Sequence, residues 1–95
     1  MTHGILMHEP DDDVGVAVED LGAGTAVGAI TLEGKAVGAV TLIDGVPLGH
    51  KVAMHDITNG KDVREYGRVI AVAILDAPRG SHVHTHNITT KRWTA

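Results

Sequence analysis

The sequence predicts an all-β fold, a compact barrel or sandwich of short strands with little helix. Twelve glycines in 95 residues interrupt the alanine-rich segments before an apolar stripe with helical spacing can form. The apolar segments that remain are short, rich in valine and isoleucine, and separated by glycine and aspartate turn signals, as is typical of strands. The chain contains no phenylalanine, one tyrosine and one tryptophan, so we expect small and β-branched side chains in its core.

Six segments show the alternation or the short apolar run expected of a strand. The second and third flank Glu33-Gly34-Lys35, which predicts a hairpin turn between them. In chain order, the predicted strands span residues 14–18, 27–32, 36–43, 52–55, 69–75 and 81–88.

One eight-residue pattern occurs three times: an aspartate, an apolar residue, a glycine three positions later and a valine three positions after that. The copies span residues 20–27, 56–63 and 76–83. The apolar residue would anchor a turn, the glycine would supply a positive φ, and the valine would begin the next strand. The pattern predicts a shared corner. The alternative is chance occurrence in a chain rich in these residues, because the spacings between copies are irregular.

Length and charge restrict the classes of function. The 95 residues are enough for one domain, residues 1–95. A net charge of −4 argues against nucleic-acid binding, which normally needs a basic face. No apolar run approaches the roughly 20 residues of a membrane span, and the N-terminus lacks the layout of a signal peptide, so we expect a cytoplasmic protein with no membrane partner. The absence of cysteine excludes disulfides and thiolate metal sites.

Two polar segments have simple interpretations. The run Asp11-Asp12-Asp13 is predicted to be a solvated loop, with a contact to a divalent ion as the alternative. Residues 89–95, which include Trp93, are expected to form a flexible tail. The alternative for this tail is docking on a partner, because tryptophan and arginine are enriched at interfaces.

The segment from His82 to Asn87 carries three of the seven histidines, His82, His84 and His86. In an extended strand these side chains project from one face, and neutral imidazole is the commonest ligand for transition metals. Successive rings would lie about 6.6 Å apart and the outer two about 13 Å apart. Two of them can therefore share an ion but three cannot converge, and further ligands must come from another strand, a substrate or a partner.

A second segment, residues 50–55, carries two histidines that could supply the further ligands from within the chain. His50 and His55 differ by an odd number, so a regular strand points them to opposite faces and at most one joins the same site. Lys51 suits the binding of a substrate carboxylate, and Asn87 is suited to orienting a ligand or a neighbouring imidazole. A histidine can also act as a general base near neutral pH. The alternative for the whole set is a group of partly exposed histidines without a ligand.

The ordered block from Gly49 to Asn87 resembles a known family. It is similar to the N-terminal module of altronate and galactarate dehydratases, a SAF-type β-clip domain, and to the small subunit of two-component lyases such as sulfolactate sulfo-lyase. The residues that carry the resemblance are Gly49-His50-Lys51-Val52-Ala53-Met54-His55-Asp56-Ile57, Gly60, Val63, Tyr66-Gly67 and Gly80-x-His82-Val83-His84-Thr85-His86-Asn87. The chain departs from the family pattern at Asp13, Glu65 and Ala71, where the family usually has asparagine, lysine and glycine.

The resemblance implies a compact β-clip (SAF-like) barrel that takes part in the metal-dependent dehydration of a sugar acid, with Fe²⁺ favoured and Mn²⁺ as the alternative. The family's large catalytic domain is not among these residues. We therefore expect a small subunit, inactive alone, that contributes histidines to a site shared with a large catalytic lyase subunit. Self-association into a homo-oligomer stays open. The expected metal ligands are His84, His86, His55 and His82; the expected catalytic residues are His84, His86 and Lys51; the expected substrate-binding residues are Lys51, Asn87 and His50.

Two alternatives belong to other functional classes. The first is a non-catalytic module that binds a small ligand or a metal, or that serves only in assembly. The second is a biotinyl- or lipoyl-type carrier, which requires a modified lysine at an exposed hairpin tip. Lys51 lies in a predicted strand instead, so the carrier ranks last.

Overall fold

The computed structural model describes residues 3–90, with the side chain of Thr90 excepted. Over this range the chain forms strands and turns, which confirms the all-β prediction. None of the described residues belongs to a helix long and apolar enough to cross a membrane. The strands are β1 (His3–Met7), β2 (Val14–Ala17), β3 (Ala26–Thr31), β4 (Ala36–Thr41), β5 (Lys51–Ala53), β6 (Asp62–Glu65), β7 (Arg68–Ala73), β8 (His82–Val83) and β9 (Ile88–Thr90).

The strands form two sheets. The larger has six strands in the order β4-β3-β1-β2-β5-β8, and the smaller has three in the order β6-β7-β9. The pairing of β1 with β3 is parallel, and the other pairings are antiparallel. β3 and β4 form the hairpin predicted around Gly34, whose φ of 86° favours glycine over residues with a Cβ.

Two clusters of buried apolar side chains lie on either side of β5. Val52 packs into the first cluster with Ile5, Met7 and other residues of β1 to β4. The next residue, Ala53, packs into the second cluster, which holds side chains of β6 and β7 and Val83 of β8. This alternation follows from the two-residue period of a strand. Because β5 lies between the two clusters and pairs with β8, both strands that carry site residues are fixed by packing.

Three strands, β1, β6 and β9, were not predicted from the sequence, and one predicted strand is wrong in its length. β1 is short and contains Gly4, which hides its alternation. β6 places Val63 and Glu65 inward, and a buried glutamate does not register as an apolar position. The predicted strand 81–88 is interrupted after Val83 by a turn, and pairing resumes only at Ile88.

The predicted corner is confirmed at all three copies of the pattern. The corner glycines Gly24, Gly60 and Gly80 have φ between 84° and 90°, and the apolar anchors pair across the molecule. Leu21 bridges Val46, and Ile57 bridges Ala77. A fourth corner lies at residues 45–52, where Gly49 has the same positive φ and Gly45 replaces the aspartate.

The aspartates of the pattern hold the corners together. Asp56 Oδ1 accepts a hydrogen bond from the backbone N–H of Arg79, and Asp76 Oδ1 accepts one from Asn59, so two facing corners cap each other reciprocally. Carboxylates bind backbone donors of turns strongly because the bond is charge-assisted. The fixed orientation of these corners determines where β8 begins.

The prediction of a solvated loop at residues 11–13 is wrong for two of the three aspartates. Asp12 is 1% exposed and accepts hydrogen bonds from the backbone N–H groups of Tyr66 and Gly67. Asp13 is 7% exposed and accepts one from Arg64. These bonds satisfy the two carboxylates and hold the β6–β7 hairpin against β2.

Two of the residues assigned to the predicted tail lie in a strand. Thr89 and Thr90 belong to β9 and pair with Val72 and Ala71 of β7. Residues 91–95, including Trp93, lie outside the described residues.

Candidate metal centre and adjoining cavity

A turn after β8 brings its histidines together instead of spreading them along one strand. The carbonyl of His84 accepts hydrogen bonds from the N–H groups of Asn87 and Ile88, at 3.0 and 3.1 Å. The chain therefore reverses between Val83 and Ile88. The prediction that the imidazoles form a row at strand spacing is wrong, because the hydrogen bonds of the turn replace the extended conformation.

The register of β5 against β8 adds His50 to this group. Lys51 pairs with Val83 and Val52 pairs with His82, and continuing this antiparallel register by one residue sets His50 opposite His84. His50 Nδ1 lies 2.8 Å from His82 Nε2, and the rings of His50 and His84 stack with centroids 4.4 Å apart. One ligand atom from each of His50, His82 and His84 lies within 4.8 Å of the others.

The other two predicted metal ligands lie outside this group. The ring of His86 contacts that of His82 at a centroid distance of 5.3 Å, on the exposed side of the turn. His55 is exposed and lines a separate cavity of about 180 Å³ with Met54 and Arg79. The argument that His50 and His55 point to opposite faces is consistent with this placement. His50, predicted from the sequence to bind substrate, is the one that meets the other histidines.

The surroundings of His82 favour its neutral imidazole. Burial lowers the pKa of His82, and the neighbouring His50, His86 and His84 lower it further, while Asp44 opposes the shift. A neutral imidazole keeps the lone pair that a metal requires. The environment of His82 therefore favours the form that could bind a metal over the imidazolium cation.

The donor set fits a divalent first-row transition metal. Two nitrogens bound to one ion at about 2.1 Å lie about 3.0 Å apart at a right angle and about 3.4 Å apart in a tetrahedron. His50 Nδ1 and His82 Nε2 are joined by a hydrogen bond of 2.8 Å, so these two nitrogens already lie close to the separation at which two ligands share one ion. Three imidazoles suit iron, manganese or zinc by ligand type, and the ligand atom of His84 lies within 4.8 Å of those of His50 and His82.

A cavity of about 370 Å³ adjoins the cluster and shares His84 with it. Its remaining polar lining comes from Lys51, Thr85 and Thr89, and its apolar wall comes from Ile74, Val83 and Ile88. A cationic group, hydroxyls and an imidazole around an apolar wall suit a small polar anion. The cavity thus joins the predicted carboxylate-binding lysine to the histidine cluster.

Lys51 forms an ion pair with Glu65, a residue that the sequence did not assign to the site. Lys51 Nζ lies 3.6 Å from Glu65 Oε1, and the glutamate side chain is 2% exposed against 30% for the lysine. Burial raises the pKa of Glu65, and Lys51 opposes the shift by stabilising the carboxylate. The sequence feature that could have identified Glu65 as buried is the two-residue alternation of β6, which places Glu65 on the same inward face as Val63.

Asn87, predicted to bind substrate, lies inside the turn and does not line the cavity. Asn87 is 5% exposed. Its side-chain oxygen accepts a hydrogen bond from the N–H of His84 at 3.0 Å, and its side-chain nitrogen donates to the carbonyl of His82 at 2.9 Å. Both ends of the amide are engaged inside the turn.

Comparison with known proteins identifies the family. The model of the altronate/galactarate dehydratase SAF domain matches residues 3–91. The chain belongs to this family. The resemblance read from the block between Gly49 and Asn87 is therefore confirmed.

Relatives of this SAF domain occur as a separate subunit and as part of longer chains. It is 33% identical to the (2R)-sulfolactate sulfo-lyase subunit alpha of Chromohalobacter salexigens, over 98% of this chain and 100% of the relative. It is 42% identical to the altronate dehydratase of Escherichia coli, over 83% of this chain but only 15% of the relative. A second subunit alpha, from Paracoccus pantotrophus, is 48% identical over 50% of this chain and 72% of its own length. These relatives make the chain a member of a lyase and dehydratase family.

Proposed function

We propose that this SAF domain is the small subunit of a metal-dependent lyase that dehydrates a sugar acid or a related hydroxy-carboxylate. The observation that carries the proposal is the meeting of His50, His82 and His84 beside a cavity that also contains Lys51. A full-length match to a protein named subunit alpha supports a role as one component of a larger enzyme. The matching of 15% of altronate dehydratase supports a large partner that supplies the remaining machinery. The cytoplasmic location expected from the sequence is part of the proposal.

The chemistry requires three functions. A base must remove the proton next to the carboxylate, a positive group must stabilise the enediolate, and an acid must assist the departing hydroxide. A divalent metal, Fe²⁺ by preference with Mn²⁺ as the alternative, supplies Lewis-acid stabilisation when it is bound by His50, His82 and His84. Lys51 binds the substrate carboxylate as a point charge, since it lines the cavity and its ammonium is paired with Glu65 on one side.

His86 is suited to proton transfer. It is exposed on the turn beside the cluster and lies outside the group of three converging ligand atoms. An imidazole in this position can serve as a general acid or base. The large subunit supplies the other acid–base group and the ligands that three imidazoles leave open. An arrangement of this kind accounts for a subunit that is inactive alone.

The test is reconstitution with the large lyase subunit. The purified chain and its partner are mixed with Fe²⁺ or Mn²⁺, and dehydration of hexonates and hexarates is followed by product formation. His50→Ala and His84→Ala should each reduce turnover by at least tenfold. His55→Ala should retain turnover, because His55 lies at the separate cavity. Full activity of the His84→Ala complex would refute the site.

A non-catalytic metal-binding module is the second candidate. It is favoured by the fact that all three converging imidazoles belong to this one chain. Equilibrium dialysis with Fe²⁺, Mn²⁺ and Zn²⁺ helps to distinguish this module from a lyase subunit. Tight binding by the isolated chain, with no gain of activity from any large lyase subunit, would select the binding module.

A further inference from the structure

Asn87 connects the backbones of two members of the histidine cluster. Its amide accepts from the N–H of His84 and donates to the carbonyl of His82, and the residue is almost completely buried. A side chain that bonds nearby backbone groups can replace strand pairing with a turn. The bridge lies at the point where β8 stops and the turn begins.

A second side chain holds His82 from the opposite side. Asp44 Oδ2 accepts a hydrogen bond from the backbone N–H of His82 at 3.0 Å. The N–H and the carbonyl of His82 are therefore both bonded to side chains, one from the loop after β4 and one from the turn itself. Two partners from separate segments restrict the backbone of His82 more than a two-residue strand alone would.

We infer that Asn87 is a positioning residue that sets the backbone of His82 and His84 so that their imidazoles converge with that of His50. The inference rests on the proposed metal site and adds the residue that orders it before the ion binds. Without the amide bridge, the turn can relax toward the extended strand, in which same-face residues are about 6.6 Å apart. Such a spacing separates the imidazoles beyond the range of one ion.

The test compares variants of the whole chain by Mn²⁺ titration calorimetry. Asn87→Ala removes both bonds and should weaken Mn²⁺ binding by about 10–100-fold, the usual effect of losing a residue that orients metal ligands. Asn87→Asp retains the acceptor for His84 but sets a carboxylate against the carbonyl of His82. It should also weaken binding, although an added negative charge near a cation would by itself strengthen binding.

Asp13→Ala is the matched control for general destabilisation. Asp13 is buried to a similar degree and its side chain also accepts a backbone hydrogen bond, from Arg64 at 2.8 Å. Both alanine variants should lower the midpoint of urea unfolding, but only Asn87→Ala should change Mn²⁺ affinity. Equal Mn²⁺ affinity in Asn87→Ala and the unmodified chain would show that the residue is merely structural.

A measurement on the metal-free chain distinguishes an error in the positioning role of Asn87 from an error in the proposed metal site. Ring-to-ring nuclear Overhauser contacts should connect His50 with His84 in the unmodified chain and in Asp13→Ala, and should be lost in Asn87→Ala. If the unmodified chain binds no Mn²⁺, the metal proposal fails while these contacts still decide the role of Asn87. Retention of the contacts in Asn87→Ala would refute the positioning role.

Discussion

Replacement of Gly80 by alanine should destabilise the protein far more than the same change at Gly60. The two glycines occupy equivalent corners with φ of 90° and 88°, so both alanines carry the cost of the left-handed region, about 1–2 kcal/mol. The surroundings differ. A Cβ at Gly80 would collide with the carbonyl of Thr41 and approach the N–H of Ile43, whereas a Cβ at Gly60 would meet no atom within 4 Å.

The collision at Gly80 involves backbone on both sides, so no side chain can rotate to relieve it. Overpacking of this kind costs a further 1–3 kcal/mol or so, which brings the expected loss for Gly80→Ala to about 2–5 kcal/mol against about 1–2 kcal/mol for Gly60→Ala. A domain of this size has a free energy of unfolding of roughly 5–14 kcal/mol, so the first variant should approach the limit of folding. Urea unfolding followed by circular dichroism measures both values. Equal losses in the two variants would refute the assignment of the extra cost to the contact with Thr41.

Two further predictions concern the pKa of the buried Glu65 and the packing of the second apolar cluster, to which Ile57 belongs. Because burial raises the pKa of Glu65, its protonated form favours the folded state, and that contribution is present at low pH and lost as pH rises through the folded-state pKa. Glu65→Gln removes this titration, so its stability relative to the unmodified chain should improve in urea unfolding as the pH is raised from about 4; a constant difference would contradict the shift. Ile57→Ala should cost about 2–5 kcal/mol because Ile57 is 1% exposed, whereas Ile43→Ala, at a side chain 56% exposed, should change stability by no more than about 0.5 kcal/mol. Similar losses at both positions would show that the second core is not packed as described.

The parts of the fold that were predictable from sequence are those with local causes. The β3–β4 hairpin depends on Gly34, and the corners depend on glycines that must adopt a positive φ. The parts that were missed depend on distant contacts. From the sequence Asp12 is predicted to be solvated, because its hydrogen-bond donors come from the distant Tyr66 and Gly67. Glu65 is likewise expected at the surface, because its burial depends on the inward orientation of β6.

The site shows the same division. The sequence by itself determined which residues have suitable chemistry: a dense set of imidazoles, Lys51 and the odd spacing that separates His50 from His55. Only the tertiary structure decided that His50 joins His82 and His84, because that depends on the register between β5 and β8, two strands about thirty residues apart. It also decided that Asn87 lies inside the turn rather than in the cavity. The physical reason is that side-chain chemistry is a property of each residue, whereas convergence needs strand pairing and a turn whose hydrogen bonds replace those of an extended strand.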